Sequence, residues 1–366
     1  MENLHDAYLQ RAVRLARVAD SESVKIANGL KELHTRILKR IAAEYGDMSA
    51  ARLKTLNSVI EDLLIAYYRD NVSMSLEDMA KDVIQKEIMW NFAVLAEATG
   101  QRLVKPIMKE AAKSALLKPY QGRAFKTWFE DAGVTNSSRI TKLLTENYLK
   151  GESTGAAVRD VFSVTQRAEA DIKTLSRSFF MHMSVEARDK SLETYGEYIG
   201  GMVWSSILDN RTTPTICGIR DQLKYDDQHN PIGHDIPWGA GPGRIHFNCR
   251  SQAVPFLKGE QLPTMNRAAV NAGENYERGD KTTDSGKVRK PTKANRESGI
   301  YDVEMVTTRT KYEGWLRSQP TPFIADVLGS VEKARDFKGG TSLKSFLPDS
   351  GPGSLGVINN IGVSNL

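Results

Sequence analysis

The chain has 366 residues, 40% of them hydrophobic and 26% charged, with a formal net charge of +5. Length and a mean hydropathy of −0.41 predict a soluble protein of two or three domains. Two cysteines exclude a disulfide scaffold, and no run approaches the ~20 apolar residues of a membrane span.

Met1 to Ala19 mixes His5, Asp6, Arg11 and Arg14 with its apolar residues, which is not the pattern of a secretory signal. A protein made and assembled in a reducing cytoplasm is expected. The mild positive charge permits contact with nucleic acid or an acidic surface without requiring it.

The first half reads as helical. Ile26, Leu30, Leu33, Ile37 and Ile41 recur at three- and four-residue steps, with Gly46 as a stop. Leu53, Leu56, Val59, Ile60, Leu63, Leu64 and Tyr67 form a second stripe, with Ser49 as N-cap. Ser75 and Asp78 resemble a capping box before a third helix that Gly100 ends. These stripes predict a helical bundle over 1–118, with no inward repeat of His, Glu or Asp to hold a cofactor.

Lys118 to Gly122 breaks the run and marks a boundary. Shorter helices are expected at about 138–148, from Thr154, over 168–184 and over 185–195, leading to Gly200 and Gly201. The period then changes. Met202, Trp204, Ser206 and Leu208 alternate as a strand does, and Arg250 to Val254 reads as another strand stopped by Pro255. Between them lies a long loop rich in Gly and Pro, which needs something to fix it.

Residues 119–258 therefore read as helices followed by a small β module. Residues 259–300 turn polar and read as an extended or disordered connector, basic from Lys281 to Arg296. Residues 301–366 return an apolar pattern at Tyr312, Trp315, Leu316, Phe323 and Val327, then end in a Gly/Ser/Asn-rich tail. The expected class is α+β: a mainly α-helical N-terminal half, a small β-containing Cys/His module, and an extended polar C-terminal region with short helices.

Chemistry concentrates between Trp204 and Pro255, which hold both cysteines and three of the six histidines. Cys217, His246 and Cys249 supply three soft ligands of the kind zinc takes in a tetrahedral site. Asp221, Asp209, His234 or water would be the fourth. Two buried thiols, or a late-forming disulfide, remain alternatives. No Glu adjoins His246 as general base, so neither zinc-peptidase nor deaminase spacing is present. Asp209 and Arg211 read as a structural bracket holding the loop, with Thr212 and Thr213 capping backbone groups.

The ordered set Trp204, Leu208-Asp209, Arg211-Thr212, Pro214, Cys217, Asp221, Tyr225, His246, Asn248-Cys249-Arg250-Ser251 and Pro255 resembles the Mu F-like minor head proteins of tailed bacteriophages, also called head morphogenesis proteins. Leu175 to Ser178 upstream agrees with that family's arginine-bearing helix. Tyr312, Trp315-Leu316, Gln319, Val327 to Gly329, Phe337 and Gly339 look like its C-terminal segment. The chain departs from the family at Gln222, where Asp-Gly is frequent, and at Ser251, where the family's Cys-Arg-Cys would place a third cysteine.

The resemblance implies a non-enzymatic, low-copy virion component at the portal vertex or capsid interior. It would act in head assembly, and in DNA packaging or ejection. Its partners would be the portal protein and capsid or scaffolding proteins, with DNA contact through the basic connector. It would be in the host cytoplasm during assembly. The rival expectations are a metal-dependent nuclease or peptidase using Cys217, His246, Cys249 and Asp221, and a DNA-contacting ejection protein.

Overall fold

The computed structural model describes residues 4–46, 48–102, 108–260, 264, 266–273, 276 and 301–347. Helix α1 runs Leu4–Glu44 and buries the predicted stripe of Ile26, Leu30, Leu33, Ile37 and Ile41. Helix α2, Ala50–Ala66, starts at Ser49, whose side chain accepts the Arg52 N–H. It continues through a π-helical turn, Tyr67–Val72, directly into α3, Ser73–Thr99. The Ser75–Asp78 pair therefore caps nothing: Ser75 lies inside the helix and donates its hydroxyl back to the Asn71 carbonyl at 2.9 Å. Gly100 ends α3 at φ 69°, the left-handed conformation glycine adopts without cost.

Helix α4, Met108–Leu117, leads to the break at Lys118 to Gly122, which is a tight turn rather than a linker. Tyr120 is buried there, and one apolar core continues on both sides. Helix α5, Phe125–Leu149, starts well before residue 138, because Phe125 and Phe129 pack edge-on against Phe179. Helix α6, Thr154–Thr194, is one 41-residue helix where three were expected. It contains no proline, and its only glycine is Gly155 in the first turn, so nothing interrupts it. Its early face buries Val161, Thr165, Ala168, Ile172, Leu175 and Phe179, and from Ser178 to Arg188 every residue is buried. A helix buried all round is central, and α6 packs against α1, α3, α4 and α5.

A four-stranded antiparallel sheet of order β3-β2-β1-β4 follows: β1 Ile199–Ser205, β2 Lys224–Tyr225, β3 Pro231–Ile232 and β4 Gln252–Leu257. Pro255 does not stop β4. That strand lies at the sheet edge, where a missing N–H is tolerated.

The polar stretch after residue 259 contains a strand, β5 Asn266–Ala272, paired antiparallel with β6 Tyr301–Thr307. Arg267 and Ala269 point inward, and the Val270 N–H donates to the Leu208 carbonyl at 2.9 Å. Short helices α7 Tyr312–Ser318, α8 Thr321–Leu328 and α9 Val331–Lys338 close a second core around Trp315, Leu316, Phe323, Ile324 and Phe337. The fold is α+β. The basic residues Lys281 to Arg296 and the tail 348–366 lie outside the described residues. Among the described residues no helix is long and apolar enough to cross a membrane.

Candidate functional site

Strand β1 carries Trp204 into the core, fully buried, with its indole N–H donating to Ser206 Oγ at 3.1 Å. Past the strand end, Asp209 folds the chain back by accepting the backbone N–H groups of Arg211 and Thr212, each at 3.0 Å. The Thr213 carbonyl then accepts from the Cys217 and Gly218 N–H groups, which turns the Cys217 sulfur inward. The Gly/Pro loop returns through left-handed Gly239, Gly241 and Gly243. Gly241 admits the Trp238 indole, which would stand 2.6 Å from a Cβ there. Asn248, at φ 59°, is anchored to α6: its N–H donates to Ser178 Oγ at 2.9 Å and its amide to Thr174 Oγ1 at 3.2 Å.

These turns bring Cys217, His246 and Cys249 together, their ligand atoms all within 4.8 Å of one another. The two sulfurs are 3.7 Å apart, and His246 Nε2 is 3.0 Å from Cys217 Sγ. His246 Nδ1 lies 2.8 Å from the Phe247 carbonyl, which makes Nδ1 the protonated nitrogen in the neutral ring and leaves Nε2 free to bind.

The cluster could hold a metal ion. Two thiolates on a tetrahedral zinc stand ~3.8 Å apart, given Zn–S bonds of about 2.3 Å, and the observed separation fits. Burial pushes the Cys217 thiol well up. Burial acts the same way on Cys249, but the Cys217 thiol, the His246 charge and a backbone N–H of Ser251 outweigh it and hold Cys249 well below the usual thiol range. Gly243 N–H also donates to the Cys249 sulfur at 3.2 Å. Burial alone would lower His246, yet the Cys249 charge raises it.

The proposed fourth ligands are elsewhere. Asp221 is fully committed. It accepts the Ser206 N–H at 2.8 Å, the Tyr312 N–H at 2.7 Å, and two guanidinium bonds from Arg267 at 2.9 and 2.5 Å. Asp209 is held bidentately by Arg250, at 2.7 and 2.8 Å. His234 hydrogen-bonds the Lys224 carbonyl on the far side of the loop. Ser251, buried beside Cys217, has its hydroxyl 3.1 Å from that of Ser206.

The bracket expected of Asp209 and Arg211 is made by Asp209 and Arg250. Arg211 contributes only its backbone N–H to Asp209, and the residue is exposed. Thr212 does bind back, its hydroxyl donating to the Ile207 carbonyl at 2.6 Å.

Three structural groups escaped the sequence reading. Arg220 is fully buried, donates to the Ile216 and Pro237 carbonyls, and lies over the Trp204 ring. Arg267 was hidden in a stretch read as connector. Arg244 pairs with Glu186 and Asp189 of α6, and Lys118 joins the same Glu186. For Arg267 and Arg244 the only signal was the need of each buried carboxylate for a cation, and Arg220, held by carbonyls and an indole ring, had none.

Comparison of the chain with protein-family models, curated proteins and solved structures gave no match.

Proposed function

We propose that this chain is a structural minor head protein of a tailed bacteriophage, a non-enzymatic virion component that acts at the portal vertex in head assembly. The observation that carries this reading is how the residues of the Trp204 to Pro255 signature are engaged. Asp209 binds Arg250, Asp221 binds Arg267, Asn248 binds α6, and Trp204 fills the core. The rival metal-dependent hydrolase would use Asp221 as a ligand or base open to water. Both carboxylates of the motif are instead neutralised by arginine forks, an arrangement suited to holding shape.

Within this reading Cys217, His246 and Cys249 hold zinc. Bound zinc supplies folding free energy, on the order of 10 kcal/mol for a complete structural site. A site of three protein ligands supplies part of that, beside the burial of Ile216, Trp238 and Ile245 in the same loop. The chain's own residues set the loop geometry and bring Nε2 and the two sulfurs together.

The test is quantitative mass spectrometry of purified particles. The chain is expected at a few copies per virion or capsid precursor, and its absence from both would refute the assignment. A DNA-contacting role through Lys281 to Arg296 would show binding that falls steeply with salt.

A further inference from the structure

Beside the cysteine–histidine cluster, α1, α6, the end of β1 and the β5–β6 ribbon enclose a cleft of about 340 Å³. Its walls are largely apolar, including Val13, Met181, Val270 and Val303. Two of these are open to solvent, Val13 at 41% and Val303 at 66% exposure. Next to Val303, Met305 on the same face of the ribbon is 65% exposed. Large apolar side chains left this open around a concave surface mark a contact site.

Four arginines line the same cleft against two aspartates. Arg177 is paired with Asp20, and Arg250 with Asp209. Arg17 and Arg211 have no ion-pair partner among the described residues. Arg211 lies near Arg250, Asp209, Arg177 and Asp20, and partial burial of its guanidinium together with the two arginines outweighs the aspartates and holds it below its ordinary range. Among the described residues the cleft thus carries two arginines without an ion pair beside an apolar depression.

We infer that this cleft is a docking site for a protein segment that alternates large apolar and acidic side chains. The apolar groups would enter the depression and the carboxylates would meet Arg17 and Arg211. Charge complementarity selects acidic over basic partners. The apolar walls favour a peptide over duplex DNA, whose backbone offers phosphate but no large apolar group to fill the depression. This inference does not depend on the virion reading, since any partner with that chemistry would fit.

The test is fluorescence anisotropy of the full chain with three labelled peptides: leucine alternating with glutamate, leucine with lysine, and serine with glutamate. The leucine–glutamate peptide is expected to bind saturably and the other two at least tenfold more weakly. Arg17→Gln with Arg211→Gln should weaken it roughly tenfold and flatten its salt dependence. Val303→Ser should weaken it without changing the salt dependence. All three positions are exposed, so unchanged circular dichroism is expected, and the peptide series on the wild-type chain decides even without variants. Four results would overturn the proposal: no saturable binding, equal binding of the three peptides, displacement of the peptide by duplex DNA, or self-association of the chain that the Val303 variant abolishes.

Discussion

At the residue scale, the module depends on two aspartates, each held by a guanidinium. Asp221 is the more consequential, because it ties three segments: the end of β1 through Ser206, the ribbon through Arg267, and the start of α7 through Tyr312. Removing its charge strands Arg267 in the interior, and breaking a buried pair in this way costs about 3–5 kcal/mol. Asp221→Asn should therefore lower the urea midpoint by an amount matching that loss, whereas a change under about 0.5 kcal/mol would mean the pair contributes little. Ser251 is the residue that a fourth metal ligand would replace. It is buried beside Cys217. Ser251→Cys should raise zinc affinity more than about tenfold, read by competition with a chromophoric chelator. Unchanged affinity would place the fourth ligand elsewhere.

At the element scale, α6 organises the molecule, and His182 on it reports its burial. The ring lies among Tyr120 and Phe125, and burial, then the nearby Arg244 and Lys118 charges, push its pKa down to about 3. The unfolded chain, near 6.5, binds a proton that the folded chain refuses between those values. Stability is therefore full above pH 6.5 and falls as pH drops toward 3. His182 contributes a loss of ~2 kcal/mol between pH 6.5 and 5. His182→Phe should flatten that part of the profile in denaturant melts, and an unaltered slope would show that His182 is not its source. The helical stripes were legible in the sequence because burial on one face repeats at helical period: every residue of the Ile26 to Ile41 stripe is inward. Helix continuity was less legible. Pattern alone does not distinguish one long helix from several, and the absence of glycine and proline after Gly155, the one signal that α6 is continuous, was not read. The π turn at Tyr67–Val72 has no local sequence signal. Strand β5 was missed because Asn-Arg-Ala-Ala-Val-Asn-Ala offers only Val270 among the β-branched and aromatic residues that mark strands, and its inward Arg267 reads as a surface charge. The ligand cluster was legible from its chemistry, but the pairing of Asp221 with Arg267, 46 positions away, exists only in three dimensions.

At the scale of the whole molecule, two apolar cores meet at the polar module. The larger runs from the helical bundle into the four-stranded sheet, and the smaller joins the ribbon to α7, α8 and α9. Cys217 and Cys249 belong to the first core, Leu208 and Tyr312 to the second. The Tyr312 hydroxyl donates to the carbonyls of Asp209 and Thr212 at 3.2 Å, so the junction is bonded rather than merely packed. The loop that carries Cys217 in the first core carries Ile219 in the second, so losing the cysteine–histidine cluster should loosen both. The most direct measurement is metal content of freshly purified chain together with its thermal unfolding before and after chelation. The expected result is one zinc per chain, and a clear drop in Tm on chelation that added zinc reverses. A metal-free chain whose melting is indifferent to chelator and to zinc would contradict the zinc-fastened module.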